Sequence, residues 1–128
     1  DSIPENEIFL AVLEKNFILN FKRNTIYIVD SPGAASFPPG MPMFKGEKAL
    51  SEYLLSKNIK YIACSCGKSA VFSEKAISGM LKVHVNPWLK TEATNLIDFH
   101  KNFNELVKQK RTIFNDGTNI VLDISKSR

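Results

Sequence analysis

The segment from Thr25 to Ser65 limits the fold more than any other part of the chain. TIYIVD (Thr25–Asp30) is a run of β-branched and aromatic residues, the composition of a strand. IKYIACS (Ile59–Ser65) has the same character. Between them, EKALSEYLLSKN (Glu47–Asn58) puts Ala49, Leu50, Tyr53 and Leu54 on one helical face, and Asn58 supplies a left-handed stop. A strand, a helix and a strand at this spacing predict a parallel pair joined by a right-handed crossover. A chain built around such a unit is α/β.

The flanking segments extend this reading. EIFLAVLE (Glu7–Glu14) has the length of a strand, and Pro4 marks the start of the ordered part. NFILNFKRN (Asn16–Asn24) predicts one or two helical turns, with Asn16 as N-cap and Lys22 and Arg23 in the last turn. SEKAISGML (Ser73–Leu81) predicts a helix capped by Ser73. KVHVNPWLK alternates like a strand until Pro87 stops it. TNLIDFHKNFNELVKQKR (Thr94–Arg111) is the longest predicted helix, with Leu96, Phe99, Phe103, Leu106 and Val107 at helical spacing. RTIFNDGTNIVLDI gives two short strands around Asn115-Asp116-Gly117, a hairpin signal. At 128 residues the expectation is a single α/β domain over 1–128, three-layer-like, with a mixed, partly parallel sheet and a C-terminal β-hairpin.

The stretch from Ser31 to Gly46, SPGAASFPPGMPMFKG, fits no regular element. It holds four of the six prolines and three of the six glycines, yet also Phe37, Met41, Met43 and Phe44. Solvent loops are polar and disordered linkers lack large apolar side chains, so a loop of this kind is a contact surface or an Ω-like loop packed on its own domain. Its prolines stiffen it, which favours contact over a mobile gate.

Composition removes several function classes. No apolar run approaches the roughly 18 residues of a membrane-spanning helix, and the polar opening DSIPENE is not a signal peptide. Because the chain opens on Asp1, it reads as processed or excised from something longer. Seventeen Lys and Arg against thirteen Asp and Glu leave +4. The excess is dispersed rather than clustered with aromatics on one face, so nucleic acid is not an expected partner. Two cysteines two residues apart give neither a disulfide framework nor a four-cysteine zinc site.

Candidate chemistry is sparse. CSCGKS (Cys64–Ser69) ends like a phosphate-binding P-loop, but that motif needs a glycine where Ile62 stands, and an isoleucine strand cannot form the amide nest. Cys64 and Cys66 fit buried free thiols, with thiol redox as the alternative. His84 and His100 bear no metal-ligand spacing to them. No serine, histidine and aspartate fall in a nucleophile elbow or an HExxH-like frame. Neither a catalytic residue, a metal nor a cofactor is expected. Asp30 is better placed, since it ends a strand where open α/β sheets put their ligand crevices. Arg23, Asp30, Ser31 and Ser36 thus form a candidate polar ligand site, with a turn-capping Asp before Pro32-Gly33 as the plainer alternative. Trp88, the only tryptophan, is either packing or a stacking platform.

Four stretches carry a family resemblance: IPENEIFLAVLE, KRNTIYIVDSPGAASFPPGMP, KALSEYLLSKNIKYIACS and the closing FNDGTNIVLDI. Together they resemble the soluble C-terminal domains of bacterial polytopic membrane glycosyltransferases. Those proteins are similar to the dolichyl-phosphate-mannose–protein mannosyltransferases and the lipid A aminoarabinose transferases. The resemblance implies a non-catalytic accessory domain on the extracytoplasmic face of the bacterial inner membrane. It implies as partners the membrane-embedded part of the parent chain and a glycan or lipid-linked sugar acceptor. The catalytic acid in such enzymes belongs to the membrane half, so none is carried onto this chain. Loop 31–46, through Phe37, Met41, Met43 and Phe44, would make the contact. A free-standing small-molecule-binding, Rossmann-like domain with its crevice beside Asp30 is the alternative.

Overall fold

The structure, a computed structural model, describes residues 2–29, 37–66, 73–83 and 86–128. Its strands are β1 (Ile8–Val12), β2 (Thr25–Ile28), β3 (Ile59–Ser65), β4 (Lys110–Asn115) and β5 (Asn119–Ser127). Its α-helices are α1 (Gly46–Ser56), α2 (Glu74–Val83) and α3 (Pro87–Gln109), and a 3-10 turn covers Asn16–Ile18. The strands form one mixed sheet in the order β2-β1-β3-β5-β4. β1 runs parallel to β2 and β3, while β5 is antiparallel to β3 and β4. The fold is therefore α/β, with a partly parallel sheet and a C-terminal hairpin, as the sequence pattern predicts.

Alternation along the strands divides the core. Leu10, Val12, Ile62, Cys64, Leu122 and Ile124 face the helices and pack with Leu50, Leu54, Ile77, Phe99, Phe103 and Leu106. Phe9, Ala11, Tyr61 and Ala63 face the other way and pack with Ile3, Leu13, Leu19, Ile26, Ile113 and Val121. A parallel strand pair buried on both faces reads as an almost unbroken apolar run, and FLAV and YIACS do so. Among the described residues no α-helix covers the second face. That third layer is thin: the N-terminal segment and the 3-10 turn.

Several local expectations need correction. Asn16 is not an N-cap; Lys15 holds that position, no side chain caps the turn, and buried Asn16 Oδ1 has no hydrogen-bond partner among the described residues. Pro87 does not end a strand but begins α3: Asn86 Oδ1 accepts the Trp88 N–H at 2.9 Å, and proline takes the first turn, where its missing donor costs nothing. The turns predicted over 16–24 shrink to Asn16–Ile18, so Lys22 and Arg23 lie beyond the last turn, and Lys82 and Val83 end α2 rather than alternate in a strand. Ser73 Oγ accepts the Ala76 N–H at 3.2 Å, and Asn58 adopts φ +59° to end α1. Gly117, at φ +87°, turns β4 into β5.

Candidate functional site

The chain leaves β1 on one side of the sheet and β3 on the other. After β1 it passes through the 3-10 turn on the thin face; after β3 it enters α2 and α3 on the helical face. The carboxyl ends of β1 and β3 therefore flank a topological switch point, the usual ligand crevice of an open α/β sheet. A groove of about 630 Å³ lies there and runs down the thin face. Ligand pockets in proteins have roughly 300–1,000 Å³.

The groove floor comes from strand alternation. Phe9 on β1, Ala63 and Ser65 on β3 and Val121 on β5 all line it. Ala63 and Ser65 are small, so no side chain rises from the sheet centre. One wall is the segment after β1, with Leu13, Ile18, Leu19, Arg23 and Asn24; the other is the hairpin, with Phe114, Asp116, Thr118 and Asn119. Ile18 and Phe114 stand on opposite lips at 70% and 40% exposure. The groove is apolar below and mixed at its rim.

A hydrogen-bonded string fixes the polar end. The Glu14 N–H donates to Ser65 Oγ at 3.2 Å, and the Ser65 hydroxyl donates to Asn119 Oδ1 at 2.7 Å. Asn119 Nδ2 donates to Asp116 Oδ2 at 3.2 Å. Asp116 Oδ1 also accepts the Thr118 and Asn119 N–H groups, at 2.9 and 2.6 Å. The backbone amides of Asn119 and Thr118, followed by the Asn119 side chain, hold the Asp116 carboxyl below the usual carboxylate range. It is an anion at neutral pH. The other wall is equally anchored: buried Asn24 donates through Nδ2 to the Pro4 and Glu7 carbonyls at 2.7 and 2.9 Å, tying the entry of β2 to the N-terminal segment before β1. Arg23, also on that wall, reaches Glu5 at 3.5 Å and Asn24 Oδ1 at 3.3 Å.

The described residues singled out in the sequence do not converge. Arg23 lines the groove. Asp30, Ser31 and Ser36 lie outside the described residues. Phe37 packs at a tilt against Phe99 with ring centroids 5.3 Å apart, Met41 is buried in the helix-face core, and Met43 packs partly against it. This half of the loop is anchored to its own domain, and the Tyr53 hydroxyl donates to the Pro39 carbonyl at 2.6 Å. Phe44 differs. It is 61% exposed at φ +59°, a left-handed conformation unfavourable for a bulky residue, and its N–H donates to Asp98 Oδ2 at 2.8 Å. Trp88, half exposed, stands on the first turn of α3, apart from both.

Ser65, Asn119, Asp116 and Phe114 went unnoticed in the sequence. The clue was present in IKYIACS, where alternation sets Tyr61, Ala63 and Ser65 opposite Ile62 and Cys64, and small residues mid-sheet leave room above the strand. Among the described residues no group of three or more His, Cys, Asp and Glu side chains could hold a metal ion. The fold and groove define a small mixed α/β domain with an open crevice at its switch point. No protein family, curated protein or solved structure matches the chain.

Proposed function

We propose that this is a non-catalytic binding domain, an extracytoplasmic accessory part of a bacterial membrane glycosyltransferase-like protein, that holds a glycan or lipid-linked sugar acceptor in the groove. The carrying observation is the groove itself: an apolar floor at the switch point, flanked by a half-exposed aromatic ring and a string of hydroxyl, amide and carboxylate groups. A sugar ring has apolar C–H faces and polar edges, and that division matches Phe114 beside Asn119 and Asp116. The alternative crevice beside Asp30 rests on residues outside those described.

The resemblance, not the geometry, supplies the membrane parent. Among the described residues no helix is long and apolar enough to cross a membrane, so any spanning part belongs to other segments of that parent. The length of the encoded chain tests this half of the proposal: spanning helices upstream support it, and their absence overturns it.

Amide chemical-shift mapping tests the binding half. Monosaccharides, glycosyl phosphates and nucleotides are titrated into the folded domain. Saccharides should shift Ser65, Asn119 and Leu19, and Ala63→Leu, which raises the floor, should abolish the response while the fold persists. A nucleotide response would favour the free-standing small-molecule domain. Silence at these residues across the panel rejects the groove as the site. A second contact has its own observation, since Phe44 is presented in an uncommon conformation to solvent; it is the element of loop 31–46 suited to touch the membrane-embedded half.

A further inference from the structure

The groove has two unlike ends. Asn24 donates to the Pro4 and Glu7 carbonyls, and the Asn6 N–H donates to the Arg23 carbonyl at 3.0 Å, so Arg23 stands beside the entry to β1. Ser65 closes β3, its hydroxyl donates to Asn119, and Asn119 donates to Asp116. These groups therefore stand at the carboxyl ends of β1 and β3. The length of β1 separates the two ends: five residues, or about 16 Å at the rise of a parallel strand. Phe9, Ala63 and Val121 form the apolar floor between them.

Charge divides the same way. At the carboxyl end Glu14 and Lys15 follow each other in the chain with opposite signs, and Asp116 adds a carboxylate. Among the described residues, the charged group lining the other end is Arg23. Its side chain is only 23% exposed, and its Nε lies 3.5 Å from the Glu5 carboxylate while Nη1 donates to Asn24 Oδ1 at 3.3 Å. Glu5 is not a lining residue, and at 73% exposure it holds the guanidinium weakly. A guanidinium carries five donors in a planar fork that matches the two oxygens of a carboxylate or phosphate, and these contacts engage two of them. Asp116 has the opposite chemistry. Its Oδ1 accepts two backbone amides and its Oδ2 one side-chain amide; the acceptor capacity left on Oδ2 suits a hydroxyl and repels an anion. A ligand anion is thus disfavoured at one end and met by a cation at the other.

We propose that the groove binds a short oligosaccharide with one terminal anion, a carboxylate or a phosphate, and binds it in one direction: the anion on Arg23, uncharged hydroxyls on Asn119 and Asp116. This polarity presupposes the saccharide groove already proposed and adds the length, charge and direction of the ligand. A monosaccharide is shorter than the groove and engages one end. Arg23 is the specificity-determining residue, because it is the group that tells a charged end from a neutral one.

The probes are maltotriose, maltotriose oxidised to a carboxylate at its reducing end, and maltose 1-phosphate. Each is titrated into the folded domain and followed by amide shifts and by the Arg23 Nε–H resonance. Both anionic sugars should bind about tenfold more tightly than maltotriose, the gain of a charge-assisted pair. All three should shift Asn119, and only the anionic two should shift Arg23 Nε–H. Arg23→Gln should equalise the affinities and keep maltotriose binding, while Arg23→Lys should retain part of the preference. Raising salt from about 0.01 M to about 1 M should shrink the preference in the unaltered domain, a response that a packing role for Arg23 would not produce. If Arg23→Gln does not fold, Arg23→Lys and the salt series decide. Equal binding of neutral and anionic sugars in the groove, or an anion preference that leaves Arg23 Nε–H unmoved, overturns the polarity and spares the groove. Silence of all three at Ser65, Leu19 and Asn119 defeats the groove itself, and the polarity with it.

Discussion

His100 shows how little a residue's type says about its role. In the sequence it looks like a boundary residue beside Phe99 on an amphipathic helix. In the fold it is buried between that helix and β3, with Phe99 at 5.9 Å between ring centroids. Burial disfavours the imidazolium and lowers its pKa from the ordinary 6.5 to about 4. The unfolded chain then binds more protons than the folded one between those values, so stability rises with pH through this window. The contribution is complete above about pH 6.5 and is lost as the pH falls toward 4, at most about 3 kcal/mol in all. Urea unfolding at about pH 7 and about pH 4.5 should show the difference, and His100→Leu should flatten it. An equal slope in the variant would mean that carboxylates alone drive the acid limb. The same blindness to context hid Ser65 and Asn119. Each is an ordinary polar residue until the pairing of Ser65 with Asn119 across β3 and β5 brings their side chains together.

Elements were legible where period and punctuation agreed, and misread where one residue type carries two meanings. β1, β2, β3, α1 and the hairpin fall where alternation, helical spacing and Asn115-Asp116-Gly117 put them. The start of α3 does not. KVHV alternates and Pro87 looks like a stop, but proline is equally a helix opener when a capping residue precedes it. Asn86 is that residue, and α3 gains nearly two turns over its apolar pattern, from Pro87 rather than Thr94. At Asn16 the opposite happened: a good capping residue stands inside a 3-10 turn too short to use it. Asn86→Ala should therefore destabilise the domain by about 1 kcal/mol, the ordinary cost of a lost N-cap. Asn16→Ala should cost less, because its buried side-chain oxygen has no hydrogen bond to lose among the described residues. Paired thermal or urea melts of the two variants would check the order, and a larger loss at Asn16 would reverse the reading.

The whole molecule is lopsided, and the consequence is dynamic as well as functional. Among the described residues, one face of the sheet carries α1, α2 and α3 and the large cluster built on Phe99, Phe103, Leu50 and Leu54. The other carries a strap: Ile3, Leu13 and Leu19 over Phe9, Ala11, Tyr61 and Ala63, tied down chiefly by Asn24 and by ion pairs such as Lys60 to Glu7 at 3.0 Å. No reading of one strand at a time could reveal this imbalance, because FLAV and YIACS demand burial on both faces without saying what covers them. A layer with few apolar contacts opens at lower free energy than the core beneath it. Amide exchange of the folded domain should therefore be ordered by layer. Leu19, Arg23 and Asn24, whose N–H groups donate within the strap at 3.1, 3.1 and 3.4 Å, should exchange through a local opening. Ile62 and Cys64 in the sheet centre should exchange only on global unfolding. Asn24→Ala frees two carbonyls from their donor and should raise strap exchange with far less effect on β3. A groove ligand should do the reverse, since closing the crevice pins Leu19 against the floor. If strap and sheet centre exchange together, with one denaturant dependence, then the thin layer is part of the cooperative core and the groove is a fixed cleft.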